Sequence, residues 1–286
     1  MTKPVLALAP LLASAALAAC HTTPAKNSGF LVSYDGLQAP PRSLSASNRR
    51  FRDDAASDAV RVVFLEPAVF APGVETQLAS ADRDRVLSEV DRQICFEVSE
   101  RFVITPVRTP DSATVRTAIV RVQQTGRIGS AASAAVGFFV PVIDLRAPMT
   151  TGGLAVESEM LEAGAGRQIA AISWARNAQY VGRDSPSLSR VGDALQMAEP
   201  MGDAVGDAFA SKARPVSDIG DPDPCAAFGP RRNIARSAAG FAVGHFTGLY
   251  HPAIEGAGAV VRPSDAPQGG ETEPRLDGSL ASPEAR

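Results

Sequence analysis

The chain has 286 residues, of which 45% are hydrophobic, and a formal net charge of −3 at pH 7. That is room for one ordinary domain and more, at about 100–200 residues per domain, and the near-neutral balance lacks the clustered basic surface that nucleic acid requires. The densest basic spot, Arg49, Arg50 and Arg52, is followed at once by Asp53 and Asp54 and reads as a solvated linker rather than a contact to anionic lipid.

In chain order, Lys3 precedes a mostly apolar run from Val5 to Ala16, closed by Leu17-Ala18-Ala19-Cys20. A short basic start, an apolar stretch and small residues before a cut site make a secretory signal. The run is too short to span a bilayer, which needs about 20 apolar residues. The cysteine directly after the small pair resembles the bacterial lipobox, in which the thiol takes a diacylglyceryl group and the new amine is acylated by a fatty acid such as palmitate. Each buried methylene contributes about 0.8 kcal/mol and one chain holds only weakly, so several chains on one residue make a lasting anchor. Residues 1–19 are therefore expected to be a lipoprotein signal peptide, with Cys20 as the lipidated start of the mature chain. His21 is not the aspartate that usually retains such proteins at the inner membrane, which favours the outer membrane, facing the periplasm.

Residues 20–58 are expected to hold the lipidated cysteine, a polar tether over His21–Asn27 and a packed segment over Ser28–Leu37. The stretch Gln38–Asp58 reads as a connecting loop. Residues 59–213 read as one α+β domain: a single small mixed or antiparallel sheet with two main helices packed on it. Val60–Leu65 is β-branched, bears an aromatic and is stopped by Pro67, as in a buried strand. Ser80 is the expected N-cap of a helix reaching about Arg101, with Leu87, Val90, Ile94 and Val98 on one face. Short strands follow at Phe102–Ile104 and Thr114–Gln123. Leu154, Val156 and Met160 alternate with Glu157 and Glu159, the period-two pattern of a half-exposed strand, and a turn at Gly164-Ala165-Gly166 joins it to Ile169–Trp174 as a hairpin. Leu188–Lys212 reads as the second helix, which Pro200 should kink or split. Residues 214–286, rich in Pro, Gly, Ala and Ser without period, read as a largely disordered tail, in which the apolar Ile234–Val261 reads as packed on the domain or loose rather than as a short membrane-apposed segment.

The segment Ser28-Gly29-Phe30-Leu31-Val32-Ser33-Tyr34-Asp35-Gly36-Leu37 resembles the opening "SGFL-x-x-Y-x-x-L" of a family of bacterial lipoproteins, domain of unknown function 3313. The hairpin from Val156 to Ala171 resembles its second mark, where acidic strand residues lead through a "TGE"-like turn to "LAA"; here the turn reads Ala165-Gly166-Arg167. The resemblance spans about Ser28 to Ala213. It implies a periplasm-facing lipoprotein with a small sheet-and-helix domain, and it implies no activity and no site residue beyond Cys20.

Residues suited to chemistry are sparse. His21, His245 and His251 lie outside the domain and lack metal-ligand spacing. Tyr34–Arg214 contains no histidine for a catalytic triad, and Cys95 sits on a helix with no neighbouring histidine to activate it. Glu157 and Glu159 share a strand face and read as a solvent-facing row rather than an acid–base pair. Trp174 reads as core. Cys20, consumed by lipid, leaves Cys95 and Cys225 in an oxidising compartment. They either pair, closing a loop of about 130 residues, or remain two free thiols, and the Cα separation decides between the two. The small, apolar stretch Ile128–Leu145 reads as a loop folded onto the sheet or one that meets a bilayer or partner. No enzyme, cofactor, metal site or nucleic-acid partner is expected. The leading expectation is a non-catalytic module that binds another protein or its own copies, on a membrane through Cys20. The alternative is a periplasmic binding module for a small apolar or lipid ligand.

Overall fold

The computed structural model describes residues 22–39, 46–127, 129–130, 144–145, 151–179, 181–182, 184–231 and 234–258. Cys20 and the rest of residues 1–21, most of Ile128–Leu145, and the chain beyond 258 lie outside them.

The strands are β1 (Ala46–Arg52), β2 (Val62–Leu65), β3 (Val69–Phe70), β4 (Val103–Thr105), β5 (Ala113–Gln123), β6 (Asp144–Leu145), β7 (Gly153–Leu161), β8 (Gln168–Asn177) and β9 (Val181–Gly182). The α-helices are α1 (Asp54–Ala59), α2 (Ser80–Ser99), α3 (Gly192–Phe209), α4 (Ile234–Thr247) and α5 (Pro252–Glu255). Seven strands form one mixed sheet in the order β1-β8-β7-β5-β2-β4, with β3 also on β5. The class is α+β, and the sheet is larger than the small one expected. Parallel pairing joins β2 to β4 and to β5, and β3 to β5; β1, β8, β7 and β5 pair antiparallel.

β2 and β3 lie along β5 as one strand interrupted at Pro67. Proline lacks the donor that the ladder needs. The chain bridges the gap with Glu66 N to Val115 O and Ala71 N to Ile119 O, both 2.9 Å, while Ala68 N donates to Asp91 Oδ1 of α2 at 2.6 Å. In the β7–β8 hairpin, Gly164 and Gly166 take positive φ of 71° and 63°, the left-handed conformation that glycine adopts without strain.

One face of the sheet carries Val115, Ile119, Leu154, Val156, Met160, Ile172 and Trp174, packed against Val86, Val90, Ile94 and Val98 of α2 and Leu195, Met201, Val205 and Phe209 of α3. The α2 positions recur every four residues, and those of α3, with Ala198 between Leu195 and Met201, every three or four, which gives each helix a continuous apolar stripe. Ala79, extended and without a side-chain cap bond, is the N-cap of α2, so Ser80 is its first helical residue. Helix α3 begins at Gly192 and runs through Pro200 in one piece; its buried residues on both sides of the proline hold it to the sheet and to α2. A Cβ on Gly202 would stand 3.0 Å from Gln93 Cβ and O, so the two helices approach closely there.

Arg49, Arg50 and Arg52 belong to β1, paired with Ser173, Ile172 and Ala170 of β8, and are not a linker. Arg52 Nη1 donates to the carbonyls of Asp207, Ala208 and Ala210 at 3.0, 3.1 and 2.7 Å. A cation over the free carbonyls at the end of α3 is favoured by the helix dipole. That task explains the arginine better than solvation does.

Residues 214–258 are held onto the domain rather than trailing from it. Arg214 donates to the carbonyls of Val60, Ser57 and Arg101 at 2.6, 3.1 and 3.1 Å and stacks 4.3 Å over the Phe102 ring. Cys95 and Cys225 form a disulfide with Cα atoms 5.9 Å apart. Tyr250 N donates to Pro186 O, and Gly258 N donates to Glu89 Oε2. Guanidinium groups, a disulfide and backbone bonds do here what apolar periodicity does elsewhere.

Candidate functional site

The second face of the sheet is also covered. Glu157 and Glu159 are 0% exposed, which overturns the expected solvent-facing row. The N-terminal segment lies over them. Glu157 accepts from Ser28 N at 3.2 Å, Ser28 Oγ at 2.5 Å and Tyr34 Oη at 2.6 Å. Glu159 accepts from Val32 N at 2.9 Å, Gln168 Nε2 at 2.5 Å and Arg116 Nε at 2.6 Å. Arg116 completes the layer by donating to Phe30 O at 3.0 Å and lying 4.8 Å over the Phe30 ring. A buried carboxylate is tolerated only when paired and hydrogen-bonded, and these two are. Burial and the bond to Glu157 push the Tyr34 hydroxyl above its ordinary range. With each carboxylate committed to several donors, the pair works as a latch that holds the N-terminal segment on the sheet.

Docking starts before the latch. Thr22 is 5% exposed and its Oγ1 accepts from Asn177 N at 3.1 Å. Asn27 Oδ1 accepts from Arg49 Nη2 at 2.8 Å. Residues 22–27 thus touch the sheet at both ends and do not form a free tether.

A groove of about 640 Å³ opens between α2 and α3 on one side and the returning chain on the other. Glu89, Glu97, Glu199, Tyr250, Glu255 and Arg231 line it. Burial, reinforced by Asp203 and Glu100, pushes Glu97 up to about 7. Burial and then Glu199 raise Glu255. Like charges crowded in a partly buried wall favour the neutral carboxyl. Among the described residues no group of three or more His, Cys, Asp or Glu is placed to hold a metal.

The other sequence candidates disperse. His245 is on α4 and stacks on Phe241 with centroids 6.1 Å apart; His251 precedes α5; Trp174 is in the core. The residues missed by sequence reasoning are the latch donors Ser28, Tyr34, Arg116 and Gln168. Their signal was chemical complementarity: one segment offers hydroxyls and free N–H groups, the other an acidic row.

The two segments that meet at the latch both lie within the stretch matched by one sequence family. Residues 26–205 match the family described as protein of unknown function (DUF3313). The chain belongs to the DUF3313 family. No curated protein matches it. Among solved structures this DUF3313 protein is similar to the PelC dodecamer from Paraburkholderia phytofirmans, at 8% identity over 58% of this chain and 99% of that one, with a TM-score of 0.36. A leucine-to-methionine variant of that dodecamer is similar at 11% identity over 58% and 98%, with a TM-score of 0.35. Likeness at this level carries no argument about the role of the DUF3313 chain.

Proposed function

We propose that this chain is a lipid-anchored protein of the bacterial envelope, held through Cys20 at the periplasmic face of the outer membrane, whose domain docks another protein or further copies of itself and performs no reaction. The observation that carries the docking role is the groove between α2, α3 and the returning chain, walled by Glu89, Glu97, Glu199 and Glu255. A polar, open wall suits a polar protein surface and is a poor lining for a fatty chain, whose site would be mainly apolar. The anchoring role rests on the apolar run and the small pair before Cys20; no described helix is long and apolar enough to cross a membrane.

In-cell cross-linking of the full chain, followed by identification of the joined neighbour, tests this reading. The expected result is a defined product, self or partner, that is lost when Glu199 and Glu255 are both replaced by lysine. An uncross-linked monomer that carries bound lipid in native mass spectra would overturn it in favour of a carrier.

A further inference from the structure

Phe241 and Phe246 are 77% and 75% exposed. They flank the exposed His245, whose ring stacks on Phe241 and meets Phe246 edge-on at 5.6 Å. Among the described residues, three neighbouring rings on one helix form an unpartnered aromatic face, and such faces mark interaction surfaces.

The contacts place the C-terminal end of α4, which carries His245 and Phe246 in its last turn, at the end of the molecule where the N-terminal segment enters. Thr22 is bonded to Asn177, the last residue of β8. One residue earlier, Arg176 Nη2 donates to Asp184 Oδ1 at 2.9 Å. The chain then reaches Pro186 and Ser187, which exchange hydrogen bonds with the backbone of Tyr250, just past α4. Leu188, also exposed, extends the same loop. At this end too, Gln124 Nε2 donates to Gln77 O before α2, and Arg85 of α2 lies against Gly258. The far end is marked by Glu100, whose carbonyl accepts from Ser217 N; a 20-residue helix separates the two by about 30 Å.

Only His21 stands between Cys20 and Thr22. Two residues reach about 7 Å at full extension, so acyl chains on Cys20 bring this end down onto the headgroups. Resting on the anchoring of Cys20 proposed above, we infer that the aromatic face of α4, with Phe241, His245 and Phe246, is a second membrane contact: it inserts into the interface of the bilayer that holds the anchor. The occupant is a lipid surface, and the domain is oriented with this end of the sheet toward it. Apolar rings on one side of a short helix settle at the headgroup–acyl boundary.

The test uses the full lipidated chain carrying one new cysteine at a time, Phe241→Cys, Phe246→Cys or Val216→Cys. With Cys20 acylated and Cys95 paired with Cys225, the new thiol alone takes an environment-sensitive fluorophore. Each protein is placed in vesicles of phosphatidylethanolamine and phosphatidylglycerol with brominated acyl chains, and its fatty-acid content is measured in parallel. The expected result is blue-shifted emission quenched by bromine at 241 and 246, with no quenching at 216, beside the far end. Acylated protein with no quenching at any position, or equal quenching at all, overturns the membrane face and leaves the anchor standing. A mature chain without fatty acid removes the anchor, and this inference with it.

Discussion

Glu157 and Glu159 show how a pattern read correctly can be assigned to the wrong surroundings. The alternation along β7 is real, and Leu154, Val156 and Met160 do face the core. Alternation reports that two faces differ in polarity, but a polar face in water and one under a polar covering segment give the same pattern. The covering residues lie 123–129 positions away in sequence, beyond the reach of any local window. Glu157→Ala removes the acceptor for Ser28 and Tyr34 and should cost about 1–3 kcal/mol, the range for leaving buried partners unsatisfied. Tyr34→Phe should cost about 1 kcal/mol. Thermal unfolding measures both, and limited proteolysis should show earlier cleavage before residue 39 in the Glu157 variant.

At the scale of elements, α2 and the β7–β8 hairpin were legible because each carries its own period and, for the hairpin, its own turn glycines. Strand β1 was not, since its three arginines look like solvent-seeking residues until the end of α3 is there to receive Arg52. The returning chain was not, because a disulfide and the Arg214 guanidinium leave no periodic trace. Replacing Cys95 and Cys225 by serine should lower stability by about 2–5 kcal/mol in denaturant unfolding and expose residues 214–258 to protease; reductant should do the same. Glu97 gives the α2–α3 contact a pH dependence. Its folded pKa of about 7 stands above the ordinary 4.5, so between these values the folded state binds more protons than the unfolded one. Stability therefore falls as pH rises through that window and is level above it. Glu97→Gln, which keeps an oxygen for the Arg101 Nη1 contact at 3.2 Å, should match the parent near pH 4 and melt higher than it at pH 8.

For the whole molecule, the anchor proposed at Cys20 would decide where everything else acts. Cys20→Ser should move the protein from the membrane fraction to the soluble one and abolish fatty-acid labelling, while leaving the melting of the domain unchanged, because Thr22 and all that follows keep their contacts. A domain that melted lower would mean that residue 20 is part of the fold. Membrane fractionation and calorimetry on one preparation separate the two results.

The latch also orders the events of folding. Its N-terminal donors, Ser28, Val32 and Tyr34, are made early on the ribosome, yet their acceptors lie on β7, more than a hundred residues later. The first-made stretch of the domain is thus the last to find its seat, a long-range closure of the kind that slows folding. Until then it has no seat on the sheet, and the finished sheet then draws the start of the chain in as far as Thr22, two residues from Cys20.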